Sequence, residues 1–200
     1  VDFLFEYIDV YMEHRQTKIA NVGFTGGEPT VNPNFILFAK YLREQYNEKY
    51  EDKWEADFAL TSNGAFSEKM GQAVMENFGH ARISYHSETD QKLKQQVKDR
   101  ILQLHYQGPL HNCTVSVNVM FHAEYFDECK ELCQFLLEHG VDFVPRVIGE
   151  EPGSMPSFAH KYNEEQLAWM KNYWKQKNDA LYASSAVGDV VKNASGRAHV

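Results

Sequence analysis

The sequence predicts an α/β fold with a parallel sheet, and three observations carry that prediction. Short β-branched or aromatic runs alternate with amphipathic helical stretches at a period of about 30 residues, the pattern of repeated βα units. Most of the helical stretches open with recognisable capping residues. The chain has 200 residues with 43% hydrophobic and 14% aromatic content, enough to bury one core.

Taken in order, a helix around Leu4, Ile8 and Tyr11 precedes the first strand, Ile19 to Thr25. Asn32 and Pro33 suit the cap and first turn of the next helix, whose stripe is Phe35, Phe38, Ala39 and Leu42. The second and third strands are Ala56 to Ser62 and Ala81 to Tyr85. Asp90 then opens a helix in which Leu93, Val97, Ile101 and Leu104 repeat at helical spacing. The fourth strand is Thr114 to Phe121, followed by a stripe of Cys129, Leu132, Cys133 and Leu136, and the fifth is Phe143 to Ile148. Asn163 with Gln166 forms a capping box ahead of Leu167, Met170 and Trp174, with Glu164 and Glu165 at the positive helix end. Trp169, Tyr173 and Trp174 fall largely on one face and read as packing residues. The expected division is residues 1–155 as the α/β unit and 156–200 as a helix with an extension toward a further domain.

Charge and composition narrow the function. The formal charge of −8, with no run of lysines or arginines, argues against nucleic acid or anionic lipid as a partner. No stretch approaches the roughly 18 to 20 apolar residues of a membrane span. Cys113, Cys129 and Cys133 lack the spacing of a disulfide framework or a zinc ribbon, which suits a reducing, cytoplasmic compartment. The two on the apolar stripe read as buried thiols.

Five βα units with right-handed crossovers can close most of a barrel or lie as an open doubly wound sheet, and periodicity does not choose between them. In both, ligands bind at the carboxyl ends of the strands. After the first strand comes Gly26-Gly27-Glu28-Pro29-Thr30. Its glycines allow close backbone approach to a ligand, and its carboxylate can accept hydrogen bonds from an amino group. This string resembles the methionine-binding motif of the radical S-adenosylmethionine superfamily. The resemblance runs from about Ile19 to Glu150: Leu60-Thr61-Ser62-Asn63-Gly64, Ile83-Ser84-Tyr85-His86, Val117-Asn118-Val119 and Arg146-Val147-Ile148-Gly149 are similar to that family's later strand ends.

The resemblance implies a partial (β/α) TIM-type barrel of parallel strands with outer helices. It implies that Gly26, Gly27 and Glu28 bind the methionyl amino group, with Pro29 fixing the turn. Ser84, Asn118 and Arg146 would hold ribose and carboxylate, and the backbone near Ile148 would meet adenine. For Asn63, cofactor contact and a structural role in the strand-to-helix turn both stand. Two cofactors are implied, S-adenosylmethionine and a [4Fe–4S] cluster, with reductive cleavage to a 5′-deoxyadenosyl radical, an external electron donor and hydrogen abstraction from a substrate, a peptide being the first expectation. The family's Cys-x3-Cys-x2-Cys triplet does not occur in these 200 residues. The expectation is therefore that the first strand and cysteine loop lie upstream of Val1, and that this segment by itself is inactive.

One competing reading comes from the residues themselves. His86-x-Glu88 and His122-x-Glu124 follow successive strands and could bind zinc or manganese in a barrel hydrolase or isomerase. A serine-hydrolase elbow is absent, and Gly23-x-x-Gly26-Gly27 has the wrong spacing for a dinucleotide fingerprint.

Overall fold

The computed structural model describes residues 2–147 and 162–186, the last ten of these by backbone alone. Helix α1, Asp2–Arg15, leads into strand β1, Ile19–Phe24. Then come α2, Phe35–Lys49; β2, Glu55–Ser62; α3, Glu68–Asn77; and β3, His80–His86. They are followed by α4, Gln91–Gln107; β4, Thr114–Phe121; α5, Phe126–Glu138; β5, Asp142–Val147; and α6, Glu164–Ala186.

All five strands are parallel and lie in chain order, β1-β2-β3-β4-β5. This order decides what periodicity left open. A doubly wound sheet reverses direction at a switch point, whereas strands added one after another by crossovers of one hand keep every helix on the same face. The sheet is the wall of a partial barrel.

Burial along the strands agrees. In β4 Val115, Val117, Val119 and Phe121 are buried against helices, while Thr114, Ser116, Asn118 and Met120 between them are not. In β3 Ala81, Ile83 and Tyr85 are buried and His80, Arg82, Ser84 and His86 are not. Pro145, which cannot donate to a ladder, lies in the edge strand β5, where proline is tolerated.

The core fills the space between sheet and helices. Phe5 of α1, Tyr46 of α2, Trp54 just before β2 and Phe58 of β2 form one aromatic group, and Phe24, Phe35, Phe38 and Phe78 another. Helix α6 covers the other end: Trp169 lies 5.2 Å from Phe121 and 5.7 Å from Phe126 between ring centroids, and Tyr173 lies 6.0 Å from Phe143. Its expected capping box is present, with Asn163 N–H donating to Gln166 Oε1 at 3.0 Å and Gln166 N–H to Asn163 Oδ1 at 2.9 Å. The Asp90 side chain caps α4 by accepting from Leu93 N–H at 2.9 Å.

Two local expectations are corrected. Helix α2 begins at Phe35 with Asn34 at its cap position, because Asn32 instead closes a 3₁₀ turn, its N–H bonding to Pro29 O. In α1 the buried face is Phe5, Ile8 and Met12; Tyr11 points outward.

Candidate functional site

At the end of β1 the chain turns through Gly26 at φ +98° and Gly27 at φ +54°, conformations that L side chains adopt only at a cost. Space around both is open, with nothing within 4 Å of where a Cβ would sit. Among the described residues nothing donates a hydrogen bond to the Gly26 or Gly27 carbonyl oxygens. The turn therefore leaves two backbone acceptors without a described partner beside a cavity.

Glu28 locks this turn to the neighbouring strand. Its Oε1 accepts from Thr30 N–H at 3.1 Å, from the Thr30 hydroxyl at 2.5 Å and from the Ser62 hydroxyl at 2.8 Å; its Oε2 accepts from Asn63 N–H at 2.7 Å. Pro29 starts the 3₁₀ turn Pro29–Val31 that Glu28 caps. Each carboxylate oxygen offers about two lone-pair positions; Oε1 is shared by three donors, whereas Oε2 has one and retains room for another. Glu28 is thus first a structural acceptor, with room for one ligand contact.

Asn63 also serves the turn, its Oδ1 accepting from Ala65 N–H at 2.8 Å. Gly64 follows at φ +76°, where a Cβ would come within 2.8 Å of Ile83 and 3.0 Å of Val97. Glycine is required there on both conformational and packing grounds.

These elements enclose a cavity of about 450 Å³ at the carboxyl ends of β1, β2 and β3, within the usual range for small-molecule sites. Gly26, Gly27, Glu28, Asn63 and Ser84 all line it. So do Thr25, Thr61, Ser62, His86 and Glu88, which the sequence reading did not assign to the cofactor. Strand alternation and position at a strand end were the available signals for Thr61 and His86. The bond from Ser62 to Glu28 spans two units and leaves no local signature.

Asn118 and Arg146 sit farther round the inner wall. Asn118 is paired in register with Ser84, and Arg146 Nε–H donates to its Oδ1 at 3.3 Å. Ile148 lies outside the described residues.

His86 Nδ1 lies 3.0 Å from Glu88 Oε1 at the cavity wall. Burial works against the charged form of Glu88, but a backbone hydrogen bond and His86, with His122 beyond, outweigh it and hold this carboxyl below its ordinary value. Behind them Ser87 is fully buried against the Cys129 thiol, and Lys94 of α4 pairs with Glu128 of α5 at 2.5 Å. The His86 and His122 pairs do not converge as a metal site would require. His122 Nδ1 is occupied by Glu124 N–H at 3.2 Å, and no group of three His, Cys, Asp or Glu among the described residues could hold a metal ion.

The cysteines do not fit an iron–sulfur cluster. Cys113 precedes β4 at the end away from the cavity, while Cys129 and Cys133 lie on α5 outside the sheet; all three are free and buried. Burial pushes the thiols of Cys113 and Cys133 up to about 12 and raises that of Cys129, the reverse of what a thiolate ligand needs.

A one-sided parallel (β/α) wall with a polar cavity at its strand ends, beside a glycine turn, defines a protein of partial-barrel fold. No family model and no curated protein sequence matches the chain. Among solved structures it is similar to anSMEcpe with bound AdoMet and Kp18Cys peptide, at 14% identity and a TM-score of 0.57, over 86% of this chain and 49% of that one. It is also similar to SuiB from Streptococcus suis, at 18% identity and a TM-score of 0.51, over 84% of this chain and 39% of that one. At these identities the likeness is one of fold. The chain spans less than half the length of the structures it matches.

Proposed function

We propose that this chain is the S-adenosylmethionine-binding wall of a radical S-adenosylmethionine enzyme. One observation carries the reading: the Gly26-Gly27-Glu28-Pro29 turn, which resembles that family's methionine-binding motif, closes a cavity of about 450 Å³ with the ends of β2 and β3. The fold shared with an AdoMet-bound protein supports it.

In this reading the Gly26 and Gly27 carbonyls and the spare position on Glu28 Oε2 receive the methionyl ammonium. Ser84, paired with Asn118, and Arg146 behind it orient the ribose and carboxylate along the inner wall. Asn63 chiefly holds the turn. The bound cofactor supplies a 5′-deoxyadenosyl group for hydrogen abstraction, and this chain positions it and limits water around it.

The [4Fe–4S] cluster of the whole enzyme would draw on cysteines other than the three in this chain, and its electron on an external donor. A peptide substrate is the first choice, in keeping with the peptide present in the anSMEcpe complex. The three free thiols suit a cytoplasmic protein. Among the described residues no helix is long and apolar enough to cross a membrane.

Titration calorimetry with S-adenosylmethionine tests the reading. Saturable one-site binding is expected; no binding by folded protein overturns it, and bound zinc with hydrolytic activity would favour the metal alternative.

A further inference from the structure

The inner wall below the cofactor cavity is built unlike an ordinary barrel core. TIM-type barrels fill their interior with layers of bulky branched side chains. Here the inward positions around Arg82 are small or polar, Gly23 of β1, Ala59 of β2, Ser116 of β4 and Thr61 of β2 at the cavity's edge, the larger Met120 and Val144 standing higher on the wall. None of these positions is buried.

Strand register places one residue at the centre of this lining. Arg82 of β3 pairs with Thr61 on one side and Ser116 on the other, and Ser116 with Asp142 beyond. Its neighbours in the strand, Ala81 and Ile83, are buried on the helix side, so Arg82 faces inward, and it is exposed there. Short side chains flank it and leave the guanidinium uncovered. Arg82 makes no hydrogen bond or ion pair among the described residues. Its nearest acidic neighbour in the same row, Asp142, is two strands away, about 10 Å at the usual strand spacing. His80 is engaged elsewhere, its ring nitrogens 2.8 Å from the Thr114 hydroxyl and 2.9 Å from that of Ser116. Arg82 stands one inward layer below Ser84 and Asn118, level with Thr61 at the lower edge of the strand-end cavity, whose lining does not include Arg82.

We infer that Arg82 is an anchor for a carboxylate of the substrate, holding an acidic group inside the barrel below the cofactor. A guanidinium with no partner among the described residues, exposed between short side chains, can receive a carboxylate through two parallel N–H···O bonds. The layer spacing puts a group held there within reach of the strand-end cavity along one wall. The substrate class is thereby narrowed to carboxylate-bearing molecules, peptides with an acidic side chain or a free C-terminus. The assignment to substrate rests on the proposed function; the carboxylate site itself does not.

The test follows the Arg82 Nε–H resonance by NMR in the full chain while three blocked peptides are added: Ac-Gly-Glu-Gly-NH2, Ac-Gly-Gln-Gly-NH2 and Ac-Gly-Gly-Gly-OH. A saturable shift is expected with the glutamate peptide or the free C-terminus and none with the glutamine peptide; which of the two acids binds tighter identifies the source of the carboxylate. Arg82→Gln should weaken that binding at least tenfold, and Arg82→Lys, which keeps the charge but loses the fork, several-fold. Affinity for S-adenosylmethionine should be the same in Arg82→Gln. Equal response to glutamate and glutamine peptides, or undiminished carboxylate binding in both variants, would overturn the inference. Failure of wild type to bind S-adenosylmethionine while the carboxylate shift persists would remove the proposed function and leave the anion site standing.

Discussion

Replacing Glu28 removes an acceptor that Thr30, Ser62 and Asn63 share, so its cost falls on folding as well as on binding. Glu28→Ala is expected to lower stability by about 1–3 kcal/mol, from donors left without a partner. It should also weaken S-adenosylmethionine binding by roughly 1.5 to 3 kcal/mol. Urea denaturation and calorimetry on one preparation separate the two effects; unchanged affinity in folded protein would take Glu28 out of the site. The two kinds of glycine give a second contrast. Gly27→Ala meets open space and carries only the backbone penalty, about 1–2 kcal/mol, whereas Gly64→Ala adds contact with Ile83 and Val97 and should reach about 2–4 kcal/mol. Equal midpoints in urea for the two variants would contradict that difference. At this scale the sequence showed which residues stand at the strand ends, because alternation and turn chemistry are local. It could not show that Glu28 divides its acceptor capacity between its own turn and the next unit.

Strand β3 carries a pH response. His80 lies below its ordinary value of 6.5, first through burial, then through the positive charge of Arg82, with Asp142 opposing. A histidine depressed in the folded state binds fewer protons there than in the unfolded chain, so its contribution is present above 6.5 and is lost as pH falls below it. Denaturant midpoints of wild type should decline from pH 7 to pH 5 more steeply than those of His80→Gln; parallel profiles would show that His80 contributes no such slope. Helix α4 depends on its cap, and Asp90→Ala should cost about 1 kcal/mol by loss of the bond from Leu93 N–H, seen as a lower melting temperature. Boundaries were legible to within one or two residues for the first four strands and for the start of the fifth, since apolar runs and caps mark them. Helix α2 was misplaced by the competition between two asparagines for the same turn, Asn32 closing the 3₁₀ segment and Asn34 taking the cap position. In α1 the choice of buried face lay with the sheet and not with the helix, and its mixed apolar residues gave no clear stripe.

For the molecule as a whole, the position of the sulfurs sets what this chain can do. With Cys113 beyond one end of the sheet and Cys129 and Cys133 behind it, no cluster can form beside the cavity. Anaerobic treatment with iron, sulfide and dithionite should yield no 5′-deoxyadenosine above background, and replacement of all three cysteines by serine should leave that result unchanged. Cofactor cleavage by wild type, abolished in the triple variant, would reveal a cluster site among these thiols.

Because each strand pairs with the one just before it in the chain, the sheet has a natural order of growth. No strand waits for a distant partner, and each new unit needs only the preceding edge, about 30 residues back. A nascent chain leaving the ribosome can therefore lay down its wall vectorially, with the turn at Gly26 and Gly27 set as soon as β2 delivers Ser62 and Asn63 to Glu28. The first half of the strand-end cavity is thus set by elements that all precede β3 in the chain.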